Sequence, residues 1–408
     1  MPAADAPPPV GQSARFLYLY ALAVCGGATA YVPFLTILLP LRVAEIAPGD
    51  SLGVLAQIAF AGAIAASLGN ILFGWASDRS RRRWPWVAAG LVLSCLLLVA
   101  MRTAQSPGAL IALIVVWQLA LNLMLGPLAA WAGDSVPDGQ KGILGGLLAL
   151  APAAGALAGS LVTWQGMAAS EDRLVWIAVL VAAMVAPVLF FGRARPMPQL
   201  MVPRPRADGR AAGPRHAVWR MWLARLLVQV SEASLFAFLL LWLRQLDPAI
   251  DEGRVAGLFS LVLAGAVVLA LLVGRWSDRH DRPIEPLAAC AAVAAAGLLA
   301  MTLARTIQPA LFGYVVFGLS SSVFLALHTA QTLRVLPQPQ HRGRDMGLFN
   351  LTNTGPSLIM PWLVLGLVPR YGFSALFMVL TALAAAAAAM LAVMARAGRV
   401  PGQRREPA

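Results

Sequence analysis

The stretch G-W-A-S-D-R-S-R-R-R-W-P-W, residues 74–86, decides the fold, because its first half returns as G-R-W-S-D-R-H-D-R-P, residues 274–283. Gly74, Asp78 and Arg79 map onto Gly274, Asp278 and Arg279 at one constant offset. Each copy lies between two long apolar runs and reads as a short charged turn between membrane helices. The repeat divides the chain into two similar halves.

The surrounding composition supports that reading. A chain of 408 residues that is 59% hydrophobic and 12% charged carries more apolar surface than one water-soluble core can bury, so most of it faces lipid. Residues 1–14 are rich in proline and alanine, lack the basic start of a signal peptide, and are expected to form a disordered cytoplasmic tail. The net charge of +13 does not call for nucleic acid, since the arginines gather in loops at one side of the membrane. Cys25, Cys95 and Cys290 sit singly in apolar runs, unspaced for a metal or a disulfide, and no cofactor is expected.

Runs able to cross a hydrocarbon core of about 30 Å fall at 16–41, 54–75, 86–101, 109–131, 143–164 and 174–191. The second half repeats them at 221–242, 256–276, 284–303, 309–333, 346–368 and 375–394. The expected architecture is all-α, with twelve transmembrane helices in two six-helix pseudo-symmetric bundles. Its units are a tail at 1–15, an N-terminal bundle at 16–192, a basic linker at 193–220, a C-terminal bundle at 221–394 and a tail at 395–408. With both termini cytoplasmic, 23 of the 31 basic residues lie on the cytoplasmic side. The expected location is the cell membrane, a bacterial inner membrane, and the expected state a monomer.

Twelve helices in two halves, with G-x-x-x-D-R and further basic residues between helices 2 and 3 and again between 8 and 9, resemble the major facilitator superfamily. In that resemblance Gly74 and Gly274 are close-packing glycines, Asp78 and Asp278 the acids, and Arg79 and Arg279 the first basic positions. Arg81 and Asp281 stand where the family usually has a second glycine. A weaker likeness to the sugar and glycoside symporter branch, which includes sucrose-type carriers, rests on L-P-L-R-V-A-E-I-A-P (39–48), D-S-V-P (134–137) and R-G-R-D-M-G-L-F-N-L-T-N-T (342–354). Helix 2 carries no acid, unlike melibiose-type sodium symporters, and helix 1 lacks the acid of proton–sucrose carriers.

The motif also has a physical reading of its own. A glycine at a helix end lets a neighbour approach, and a carboxylate is stabilised at a neighbouring helix N-terminus. In the resembling arrangement those neighbours are helix 11, starting near Met346, for Asp78, and helix 5, starting near Ile143, for Asp278. The acids then latch the halves together; otherwise they are solvated turn charges that only set topology.

Of 18 acidic residues, Glu232 alone lies near the centre of an apolar run. A carboxylate at that depth is functional by default, and burial favours its neutral form, so it suits proton coupling. Arg225 and Gln229 precede it on one helix face, but Arg225 is about 10 Å away along the axis, too far for a direct pair. Arg225 either binds a substrate anion or reaches the headgroups.

Gln118 and Asn122, beside Trp117, and Asn350 with Asn353 offer amides and an aromatic plate to a polar solute, or else join helices. Tyr31, His328, Gln331 and Gln57 are weaker candidates. Asp134 and Arg334, at matching helix ends, are candidates for a gate together with Gly74, Asp78, Arg79, Gly274, Asp278 and Arg279.

These readings describe a secondary transporter of a small polar organic solute, with a sugar or glycoside among the candidates, working by alternating access with a proton. No nucleotide-binding loop of the G-x-x-x-x-G-K type is present, and no enzymatic cluster is visible. The alternatives are proton-driven efflux of drugs or metabolites and, in another class, a receptor or assembly factor on a transporter fold. The partners are the solute, a proton and the bilayer.

Overall fold

The computed structural model describes residues 11–164, 172–201, 214–250, 252–336 and 339–397. The remainder of both tails, the middle of the linker at 202–213 and Pro337 lie outside the described residues.

The first half begins with α1 (Ala14–Pro33), which Ser13 caps by accepting from the Phe16 N–H at 3.3 Å. Pro33 lacks a donor for the helical ladder, and the chain answers with a π-helical turn at Phe34–Leu38 before resuming as α2 (Leu39–Ile46). The apolar segment therefore runs to Ile46, past the boundary at 41 drawn from sequence. Then come α3 (Ser51–Ser80), α4 (Trp84–Ala100), α5 (Pro107–Ser135), α6 (Lys141–Leu148), α7 (Leu150–Thr163) and α8 (Arg173–Phe191).

The second half holds α9 (Pro214–Leu246), α10 (Glu252–His280), α11 (Glu285–Leu303), α12 (Ile307–Val335) and α13 (Arg342–Ala397). The last element kinks at Gly372, whose φ of 76° favours glycine, so α13 consists of two helical segments. Among the described residues, ten helical segments are long and apolar enough to cross a membrane. The 33-residue α9, which carries Arg225 and Glu232, and the part of α13 before Gly372 are further long helices.

Within the first half, α1 packs on α7 and α8, and α5 on α3 and α4; within the second, α13 packs on α9 and α11, and α12 on α10 and α11. The halves meet where α3 lies along α13 and where α6 lies along α10 and α12.

Both loop copies end their helix in the same way. Arg81 and Asp281, which replace the expected glycines, adopt left-handed φ values of 54° and 52°. The turn is conserved in shape between the halves although neither residue is a glycine.

The linker and tail depart from the expectation of free segments. Gln12 is 4% exposed; its side chain donates to the Ser135 carbonyl at 2.9 Å and accepts from the Arg195 N–H at 2.9 Å, while its own N–H donates to Gln140 at 2.6 Å. Met197 is buried, and a short 3-10 turn at Pro198–Leu200 follows it. A buried amide seeks partners, and here the start of the chain finds them on the linker and on the end of α5.

Candidate functional site: a polar stripe above two carboxylate latches

The latches follow from helix ends. The first four N–H groups of a helix have no intrahelical acceptor, and the helix dipole favours an anion beside them. At the start of α13, Gly343 and Arg344 donate their N–H groups to Asp78 at 2.8 and 3.0 Å. At the start of α6, Gly142 and Ile143 donate to Asp278, both at 2.8 Å. Each acid belongs to one half and each helix start to the other.

The glycines make this approach possible. A Cβ on Gly74 would run into the Gly343 carbonyl, and one on Gly274 into the Gly142 carbonyl. The helix starts near 343 and 142 are those read from sequence, a few residues ahead of Met346 and beside Ile143.

The cations that hold the acids are not those at the first basic positions of the motif. Arg79 and Arg279 are exposed, and other arginines hold the acids. In the first half Arg83 donates to Asp78 at 2.6 Å and to Asp134 at 2.8 Å, and Arg342 from the other half reaches Asp134 at 3.2 Å. In the second copy Pro283 stands where Arg83 would be, and Arg334, at the position matching Asp134, donates directly to Asp278 at 3.0 Å. Arginine is thus exchanged between loop and helix end, and each acid keeps a guanidinium. Arg342 is further held by the linker, donating to the Leu200 carbonyl at 2.7 Å.

Deeper in the second half, one face of α9 carries Arg225, Gln229 and Glu232, all partly exposed. The Arg225 guanidinium donates to the Leu325 carbonyl at 3.2 Å, the Thr329 hydroxyl at 3.0 Å and the Asn353 side-chain oxygen at 3.3 Å. Asn353 in turn donates to Asn350 at 2.8 Å. Gln229 donates to Glu232 at 3.0 Å, so the carboxylate is met by an amide, and it makes no ion pair with Arg225. From the first half, Tyr31 is 39% exposed and close enough to Glu232 to feel its charge, as is Tyr314 on α12. The stripe of Arg225, Gln229 and Glu232 read from sequence thus lies beside Asn353 and Asn350, a pair the sequence offered separately, and beside Thr329, which spacing does not distinguish from its polar neighbours His328, Gln331 and Thr332.

Three predicted solute contacts lie elsewhere. Trp117 is fully buried with its ring edge against Phe34, centroids 5.0 Å apart. Asn122, 3% exposed, accepts from Asn70 on α3 at 2.9 Å and donates to the Gln118 carbonyl at 2.8 Å. Gln118 itself is 8% exposed. In this conformation the group joins α3 to α5, because two amides buried among apolar helices satisfy each other. His328 is fully buried, with Nε2 at 3.0 Å from the Met221 carbonyl and Nδ1 at 3.1 Å from the Thr332 hydroxyl.

The apolar helices, joined by two reciprocal carboxylate latches, are those of a multi-pass membrane protein. Its residues 221–408 match the family model described as Major Facilitator Superfamily. The resemblance read from the loop motifs is borne out by that match over residues 221–408, and the whole chain has the fold of the following solved structures. The human organic anion transporter MFSD10 (TETRAN) is 14% identical, with a TM-score of 0.75 over 92% of this chain and 99% of its own. A bacterial homologue of the iron transporter ferroportin in an outward-facing state is 17% identical, with a TM-score of 0.71 over 94% and 98%. The proton:xylose symporter XylE bound to 6-bromo-6-deoxy-D-glucose is 13% identical, with a TM-score of 0.65 over 93% and 96%. No curated protein matches the chain in sequence.

Proposed function

We propose that this chain is a secondary active transporter that moves a small polar organic solute by alternating access, coupled to a proton through Glu232. The carrying observation is the pair of latches: Asp78 and Asp278 each bind the first turn of a helix in the opposite half, on one face of the molecule. Closing one face by reciprocal, symmetric contacts is what a rocking mechanism requires. In this reading the helices number twelve in two six-helix bundles, and the latched face, with both termini, is cytoplasmic. The conformation is then the outward-facing one, with the α9 stripe as the solute path.

The proton follows from the stripe. Sodium prefers several oxygen ligands, whereas Glu232 is one carboxylate already holding an amide donor. Proton binding needs only that single group.

Glu232→Gln fixes the protonated shape. The expected result in proteoliposomes is loss of solute accumulation driven by a pH gradient, with counterflow exchange retained. A variant that still accumulates solute and follows pH normally removes Glu232 from the coupling step.

A further inference from the structure

We infer that the solute is an organic anion, a carboxylate or an acid of similar shape, bound at Arg225 and loaded together with a proton on Glu232. This rests on the stripe being the solute path. The argument is one of charge. Arg225 is placed among a carbonyl, a hydroxyl and an amide oxygen, all neutral, and makes no ion pair among the described residues. A guanidinium in such a setting is costly unless an anion meets it, and it presents a planar donor fork that matches a carboxylate. Its partners come from α12 and α13, so the fork is aimed by three helices rather than left free to reach the headgroups.

The second observation is the separation of Arg225 from Glu232. Seven residues along α9 set the two backbone positions about 10 Å apart along the axis, and the side chains form no ion pair among the described residues while each still feels the other's charge. Empty, the stripe holds one cation and one carboxylate and is neutral in sum. With an anion on Arg225 and a proton on Glu232 it is again neutral. A neutral solute carried with a proton leaves Arg225 as an uncompensated charge during occlusion, and an anion without a proton leaves Glu232 as one. Given the proton coupling proposed above, occlusion in a low-dielectric interior selects the empty form and the form that carries anion and proton together. The anion at Arg225 also withdraws the cation's support from the Glu232 carboxylate, so anion and proton load as a pair. Asn353, Asn350 and Tyr31 remain to hydrogen-bond the rest of the solute.

The test uses matched probes that differ only in charge: lactate against lactamide, benzoate against benzamide, and gluconate against glucose, added to the purified full-length protein at constant ionic strength. At least one carboxylate is expected to raise the melting temperature in a saturable way, with no shift from its neutral partner. Arg225→Gln should weaken that binding by at least about tenfold, Arg225→Lys by less, and Glu232→Gln should leave it in place. If Arg225→Gln does not fold, Thr329→Val, which removes a hydroxyl that aims the guanidinium, should weaken the same carboxylate while sparing the melting temperature of the free protein.

A neutral probe that binds as well as its acid, a shift that survives in Arg225→Gln, or the absence of a shift from every carboxylate overturns the inference. Flux separates this failure from that of the transport reading. Movement of a neutral solute independent of Arg225 sinks the anion and keeps the carrier, whereas a carboxylate that binds at Arg225 and never crosses keeps the site and sinks the carrier.

Discussion

Gln331 is 1% exposed, and neither its Nε2 nor its Oε1 meets a partner among the described residues. It lies one turn before Arg334, whose guanidinium holds Asp278, so it sits beside the closed face. A buried amide without partners costs about 1–3 kcal/mol, and opening that face to water would remove the cost. If the carrier works by the proposed alternating access, Gln331 acts against the latch. Gln331→Met, similar in length and apolar, is expected to raise the melting temperature and slow labelling of cysteines beneath the latched face. An unchanged labelling rate would show that the amide finds its partners without opening. Sequence reading singled out this residue only weakly, because a polar side chain in an apolar run looks the same whether it is satisfied or not. The same limit explains Gln118 and Asn122. Their spacing correctly places them on one helix face, but it cannot distinguish a solute path from a contact with Asn70, fifty-two positions away.

At the scale of the elements, the loop copies were the most legible part of the chain. Repeats carry their own control, and a glycine followed by an acid at a helix end has a definite physical use. What the repeat concealed was the exchange of cations. Arg83 serves Asp78 from the loop, while Arg334 serves Asp278 from the end of α12, a partnership between segments 56 residues apart that local spacing does not encode. The Gln12 contact was illegible for the opposite reason, since a proline-rich start looks unstructured and nothing local announces an acceptor on the linker. Gln12→Ala removes side-chain bonds to Ser135 and Arg195. The variant is expected to lose about 1–3 kcal/mol of local stability and to become more open to protease within residues 193–201. Cleavage unchanged from the parent protein would mean that burial of Met197 alone holds the segment.

For the whole molecule, the question is how far the two latches bias the equilibrium between conformations. In the proposed alternating access they close the same face, so their losses act on the same motion even though the sites are separate. Each carboxylate accepts two backbone N–H bonds and a guanidinium, and hydrogen bonds to a charged group contribute about 1.5–3 kcal/mol net. Asp78→Asn and Asp278→Asn keep the shape but replace an acceptor with a donor facing other donors. About 1.4 kcal/mol is a tenfold change in population, so each variant should raise the open fraction of that face by at least about tenfold. Asp78→Asn is expected to be the stronger, because Arg83 links it to Asp134 and through Asp134 to Arg342 of the other half. Removing Asp278 leaves that chain intact. Single cysteines placed beneath each latch in a cysteine-free background, labelled from the latched face, measure the fraction directly. The double variant should show the sum of the two free-energy changes. A double variant no more open than Asp78→Asn would assign closure to the first latch alone, with Asp278 reduced to a helix-end contact.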